Sequence, residues 1–369
     1  VLMAGVDIRP IGAGGGSIAR VDAAGLLTVG PDSAGADPGP MAYNTGGTEP
    51  TVTDAALVNG LIDPDYFVGG EFNLDIELSK KGVKTIADKL GLNINEAADG
   101  ILAVARNSMT TATTEILIGE GLDPRDFTLM SFGGGGGIFA TNLAQDMSIS
   151  RIIIPVAPGV FSARGILAMN IVHSYAQAYG HAMDELDQQE LENIFREMEE
   201  NATKILLAES MTEDNIEFMR SLDIYYEGQR YSVDTPVPSG KPGGNAGIKK
   251  EITTTFEKLY ETRYGHLINA PLRTLNVRLK ATGKIEEIPV SEIGKGKEIP
   301  PAAIKKKRKV FLNGAFHDTD IYERSGLLCG NVIRGPAIIE EPFHTTVVMQ
   351  GQTLEVDRMG NLIIQTGGA

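Results

Sequence analysis

The sequence predicts an α/β chain that gives way to β structure toward its C-terminus. Three observations carry this. First, "FTLMSF", a run of five glycines, "IFATNLAQDM" and "RIIIPV" follow one another between residues 127 and 156. Strand, glycine turn, helix, strand is the grammar of an α/β layer. Second, helical and strand patterns interleave from Asp187 to about residue 283, which reads as mixed α+β. Third, residues 301–369 fall into short alternating runs ("KVFLNGAF", "PAIIEEP", "TTVVMQG", "TLEVD", "NLIIQ"), an all-β pattern. The expected division is therefore 1–180, 181–300 and 301–369, with the Pro/Lys-rich "EIPPAAIKKKRK" marking the last boundary.

Taken in order, "SIARVD" and "LLTVG" read as short strands. The stretch "PDSAGADPGPMAYNTGGTEPTVTD" is too rich in Gly and Pro for a helix. A loop of that length in a compact chain is usually functional. "AALVNGLI" reads as a short helix capped by Thr53 or Asp54. Asn95 to about Glu120 repeats apolar residues at Ile101, Val104, Ala105, Met109, Ala112 and Ile116, close to the helical period. Asp187–Ser210 reads as a charged amphipathic helix and Lys249–Tyr264 as another, after a Gly/Pro linker, "SGKPGGNAG".

Composition narrows the function. The chain has 369 residues, 33 basic against 48 acidic, and a formal net charge of -15. That balance argues against nucleic acid as partner, because such binding rests on neutralising phosphates. The one basic cluster, Lys305–Lys309, reads as a solvated linker edge, with a localisation or RNA signal as the alternative. Cys329 is the only cysteine, so no disulfide can form within the chain, which suits a reducing cytoplasm. No run approaches the ~20 apolar residues of a membrane span.

Two glycine turns stand out: Gly12, Gly14, Gly15 and Gly16 before Ser17, and Gly133, Gly134, Gly135, Gly136 and Gly137. Successive glycine N–H groups can converge on an anion, and a following helix adds a favourable dipole. Neither turn has the G-x-x-x-x-G-K-[ST] or G-x-G-x-x-G spacing. A phosphate cradle and a tight packing corner are both open readings. Ser17 can bond a phosphate or cap a helix. Asp7 can orient a metal or sit at a strand end. In the long loop, Asp37 and Glu49 are candidate acids for catalysis or, for Asp37, for Mg²⁺; Asx-type turn bonds are the alternative. The five histidines are scattered and show no zinc spacing.

The residues from "DIRPIGAGGGSIARVD" through "TVTDAALVNGLID", then "EGLDPRDFTLMSFGGGGG", "PVAPGVFSARGIL", "DIYYEGQRYSV", "FEKLYETRYGHL" and "RGPAIIEEPFHTTVV", resemble in collinear order the hydantoinase A / 5-oxoprolinase family. That family includes the ATP-handling subunits of ketone carboxylases. The resemblance implies the second half of an actin-like (sugar kinase/Hsp70-type) ATPase fold, with ATP and Mg²⁺ as cofactors. It implies a cyclic amide or a ketone as substrate, a second, larger partner subunit, and an N-terminal half or subunit completing the nucleotide cleft. By the same resemblance Gly133–Gly137 border the nucleotide, and Gly12–Ser17 face its phosphates or the activated substrate. The family's usual histidine after the late turn is Phe139 here, so any role of that histidine is lost.

Overall fold

The computed structural model describes residues 8–238, 245–286, 289 and 291–367. Asp7 and the "SGKPGG" part of the expected linker lie outside them. The chain divides into one unit of Val1–Arg164 with Pro289–Ala369 and another of Gly165–Ile288.

The first unit opens with an antiparallel pair, β1 (Ser17–Val21) and β2 (Leu27–Ser33). Three helices follow: α1 (Val52–Val58), α2 (Ile76–Leu90) and α3 (Ile94–Gly119). The N-cap of α1 is Thr51, two residues before the nearer of the expected caps, Thr53 and Asp54; its side chain and that of Asp54 form a capping box. Asn93 and Glu96 do the same for α3, a cap worth about 1 kcal/mol. The helical period of α3 is present, but its buried residues stop at Ala105. Next come β3 (Leu129–Met130), α4 (Gly136–Asp146) and β4 (Arg151–Ile154), and the division between the units falls within α5 (Phe161–Leu167). The strand expected over "FTLMSF" is only two residues long, and Met130 is exposed.

The second unit is built from β5 (Ile171–Ala178), α6 (Gln188–Ala208), β6 (Ile216–Tyr226), β7 (Val233–Pro236), α7 (Asn245–Tyr264) and β8 (Leu272–Gly283). Its sheet is antiparallel in the order β5-β8-β6-β7. Phe195 and Leu206 from α6 and Phe256 from α7 share its core with Leu222 and Val277 of the sheet.

The chain then returns to the first unit as β9 (Ile304–Leu312), β10 (Ala315–Glu323), β11 (Val332–Arg334), β12 (Ala337–Glu341), β13 (His344–Val348), β14 (Thr353–Val356) and β15 (Leu362–Gln365). These strands do not pair only among themselves. One sheet runs β13-β12-β10-β9; the other runs β11-β14-β15-β4-β3, with β15 antiparallel to β4. The alternating strands of 301–369 thus cover the α/β elements of the N-terminal segment, burying Ile152 and Ile154 of β4 with Leu362 and Ile364.

The basic cluster read as a solvated linker edge is strand β9 itself. Lys306 and Arg308 both pair with buried Asp63, the latter at 3.2 Å, and Arg308 reaches buried Glu340 at 3.0 Å. Lys305 bridges Glu323 (3.1 Å) and Glu340 (3.0 Å), its ammonium 3.1 Å from the centre of the Tyr66 ring. A carboxylate withdrawn from water requires such counter-ions, so Lys305, Lys306 and Arg308 turn their charges to buried acids, while the run as a whole lies at the surface, with Lys307 and Lys309 exposed.

Candidate functional site

Both glycine turns border one cavity of about 390 Å³ within the first unit, Gly15 and Gly16 from the first turn and Gly134 and Gly135 from the second. That volume is in the range of small-molecule sites. No lysine or arginine lines it; three acids do, Asp63, Glu340 and Glu341, amid mostly apolar and aromatic neighbours.

The first turn is folded onto itself by Ser17. The Gly14 N–H donates to Ser17 Oγ at 2.9 Å, and Ser17 N–H donates to the Gly14 carbonyl at 3.0 Å. Ser17 therefore begins β1 and shapes the turn from within. Thr53 at the start of α1 ties the turn down, its N–H (2.9 Å) and Oγ1 (3.0 Å) both donating to the Gly15 carbonyl.

The second turn leads into α4. Gly133 has φ of +85°, a conformation that favours glycine, and its N–H donates to the Pro158 carbonyl at 2.8 Å. His344 of β13 lies with Nδ1 2.6 Å from the Gly133 carbonyl oxygen. A carbonyl only accepts, so Nδ1 carries the proton and Nε2 presents its lone pair. Nε2 has no hydrogen-bond partner among the described residues and faces Gly137. A Cβ at Gly137 would collide with this ring and with the Thr345 carbonyl. Glycine at 137 thus serves the packing of α4 on β13, whereas a Cβ at Gly135 would meet nothing within 4 Å.

Of the expected acids among the described residues, Asp37 and Glu49, neither lies in the cavity wall. Asp37 is exposed. Glu49 is paired with Arg20 (2.7 and 3.0 Å), whose guanidinium holds the carboxyl below the usual range. Asp7 lies outside the described residues. The fold instead brings in Asp63, Glu340, Glu341 and His344. The one sequence signal for them was an acid pair closing the apolar run "PAIIEEP", since charge in a buried strand requires a reason. Phe139, at the family's histidine position, is 5% exposed and lines the cavity as an apolar wall.

Among the described residues no group of three or more His, Cys, Asp or Glu is placed to hold a metal ion. The cavity acids Asp63 and Glu340 are occupied by lysine and arginine and do not fit Mg²⁺. A Mg²⁺ carried on nucleotide phosphates and water needs no such cage. No described helix is long and apolar enough to cross a membrane.

The three cavity acids differ in one respect. Asp63 and Glu340 are each held by two basic side chains. Glu341 has only Arg324 at 3.8 Å, and its Oε1 has no hydrogen-bond partner among the described residues. Burial pushes its carboxyl up to about 7, with Glu323 adding to the rise and Arg324 opposing it. Burial holds the His344 imidazole down at about 4, against the Gly133 hydrogen bond and with help from Arg324.

These two shifts predict opposite pH dependences of stability. Folded Glu341 keeps a proton that the unfolded chain releases, so its stabilising contribution is present below its ordinary value of 4.5 and lost as pH rises through about 7. Folded His344 refuses a proton that the unfolded chain takes up, so its contribution is present above 6.5 and lost as pH falls toward about 4. Each is worth roughly 3 kcal/mol at full extent. Replacing Glu341 by Gln removes one slope: relative to the variant, wild type should lose about 2–3 kcal/mol between pH 4.5 and 7.5 in urea unfolding. A difference that stays constant with pH would contradict the burial argument.

Comparison with known proteins fits this architecture. The description "Hydantoinase/oxoprolinase" matches residues 1–175, and "Hydantoinase/oxoprolinase C-terminal domain" matches residues 180–364. The acetophenone carboxylase gamma subunit of Aromatoleum aromaticum is 34% identical over 96% of this chain and 50% of its own length. The crystal structure of the ATP-dependent caprolactamase from Pseudomonas jessenii superposes with a TM-score of 0.73 at 28% identity, over 96% of this chain and 52% of that one. A nucleotide-free acetone carboxylase structure superposes at 0.88 with 24% identity, over 96% and 52%, and shares the fold. The chain spans about half the length of the relatives it matches. By both matched segments, which together cover nearly all of it, the chain belongs to the hydantoinase/oxoprolinase family.

Proposed function

We propose that this chain carries part of an ATP-dependent enzyme that phosphorylates the carbonyl oxygen of a cyclic amide, so that the ring can be opened by hydrolysis. The observation that supports it is the meeting of both glycine turns at one cavity of suitable size. In this reading the turns receive the nucleotide's phosphates at the rim, and the apolar interior receives the acceptor. The partners are the family's N-terminal half, which completes the nucleotide cleft, and a second, larger subunit. Enclosure of the acceptor excludes water, which matters because phosphoryl transfer to water competes with transfer to carbonyl oxygen.

The lining contains acids and no lysine or arginine. A neutral ring, such as a lactam or hydantoin, suits it better than 5-oxoproline, whose carboxylate would face like charge. A second reading, ketone carboxylation, is favoured by the 34% identity to an acetophenone carboxylase subunit. It shares the first step, since a ketone's enol oxygen is phosphorylated in the same way. Calorimetry with ATP and Mg²⁺, followed by ADP release with caprolactam, hydantoin, 5-oxoproline, acetone and acetophenone, separates the readings. The full complex should release ADP at least about tenfold faster with a neutral cyclic amide than with 5-oxoproline, as a charge left unpaired in an apolar site costs more than 1.4 kcal/mol. Stimulation by ketones alone would select the carboxylase reading. No ATP binding and no stimulation would leave a non-catalytic assembly subunit, the reading consistent with Phe139 replacing the histidine.

A further inference from the structure

We infer that Glu341 is the base that takes the proton from the acceptor as its carbonyl oxygen is phosphorylated. This assignment rests on the reaction proposed above and names the group that serves it.

The argument is one of elimination among groups at a single cavity. Asp63 and Glu340 are locked in ion pairs by Lys306, Arg308 and Lys305. Taking up a proton there would weaken two ion pairs at once in each case. The imidazole of His344 has its Nδ1 proton committed to the Gly133 carbonyl, and its Nε2 is turned to Gly137 and shielded from the cavity by the start of α4. The Tyr43 and Tyr66 hydroxyls hold their protons more tightly than usual, in both cases chiefly through burial. Among the three wall acids Glu341 is the one without a close counter-ion: it makes no hydrogen bond among the described residues, and Arg324 stands 3.8 Å from its buried Oε1. Its counter-ion is diverted: Arg324 donates through Nη2 to the Gly360 carbonyl at 2.7 Å and stands 3.8 Å from Glu341. The charged and titratable groups around Glu341 are Arg324, Glu323, Glu340 and Tyr66. With its pKa raised to about 7 by burial, the carboxyl exists in both forms near neutral pH, the condition under which a general base works best.

The step balances. The acceptor's N–H (amide) or α-C–H (ketone) gives its proton to the Glu341 carboxylate. The electron pair left behind becomes the new C=N or C=C bond. The carbonyl pair forms the O–P bond to the γ-phosphorus, and the bond from that phosphorus to the β–γ bridging oxygen breaks, releasing ADP. One base thereby serves both branches of chemistry found among the relatives, because the two acceptors differ only in which atom bears the proton.

The test uses the full complex with ATP, Mg²⁺ and the five acceptors named above. Acceptor-dependent ADP release is followed from pH 5.5 to 9, and ATP binding is measured in parallel. Wild type should rise through pH ~7 and level off. Glu341→Gln should lose at least about 100-fold of the acceptor-dependent rate, with ATP affinity unchanged within threefold. Glu341→Asp should keep a measurable rate with a shifted pH profile, a result that a merely structural role would not give. If Glu341→Gln retains the rate within threefold, or loses ATP binding along with it, the assignment is wrong while the proposed reaction stands. If wild type itself shows no acceptor-dependent release, the proposed reaction fails and the assignment falls with it.

Discussion

Asp54→Ala should destabilise the first unit by about 4 kcal/mol, the largest stability loss expected from any single side chain near the site. Asp54 is fully buried, with relative exposure of 0%. It is surrounded by donors: the N–H groups of Met41 (3.2 Å), Ala42 (2.7 Å) and Thr51 (2.8 Å), and the hydroxyls of Thr51 (2.8 Å) and Ser79 (2.6 Å). A carboxylate has room for about four such bonds, and here they join the long loop, the cap of α1 and helix α2. Truncation strands several buried donors at once, each costing about 1–3 kcal/mol before relaxation. Asp54→Asn should lose less, about 2 kcal/mol, because the amide nitrogen cannot accept the bonds one carboxylate oxygen now receives. Urea unfolding of the three proteins measures both. A loss under 1 kcal/mol for the alanine variant would mean that the loop is held by other contacts. Because Pro40 and Tyr43 of this loop line the cavity, the same variant should widen it and weaken acceptor binding.

Gly135→Ala is expected to do the reverse: leave the fold intact and weaken ATP binding at least tenfold, about 1.4 kcal/mol. Gly135 precedes α4 with φ of -95°, which any residue adopts, and a Cβ there meets no atom within 4 Å. The fold gives no reason for glycine at this position. Its place on the cavity wall, at the start of a helix, gives one if a phosphate approaches the main chain. The stability change should stay within about 0.5 kcal/mol, since a small capping loss is offset by a less flexible unfolded chain. Gly137→Ala is the contrast, expected to cost about 2–3 kcal/mol because the neighbours its Cβ would strike are a packed ring and a main-chain carbonyl. Normal ATP affinity in Gly135→Ala would identify the second turn as a packing corner, the other reading its sequence left open.

Much of the fold was legible in local pattern. The period of α3, the amphipathic α6 and the strand–turn–helix around the second glycine run are written in neighbouring residues, and each lies within a few positions of its expected place. Local rules were also enough to misplace details. The cap of α1 fell on Thr51 because its hydroxyl, and not that of Thr53, reaches the Asp54 N–H. The "FTLMSF" strand shortened to two residues because, among the described residues, the one strand beside it is β4, which it meets at Leu129 and Met130.

By itself the sequence determined the family resemblance, the α/β-then-β order of elements and the two glycine turns that meet at the site. Only the tertiary structure decided which acids line the cavity and how each is paired. Asp63, Lys306, Glu340 and Arg324 are far apart in the chain, and whether a carboxylate is neutralised or left to exchange a proton depends on which cation the folded strands bring within reach. Charge pairing acts over a few ångströms of space and is blind to sequence distance. For that reason "KKKRK" looked like a solvated edge, and Glu341 looked no different from its neighbour until β9, β10 and β12 were laid side by side.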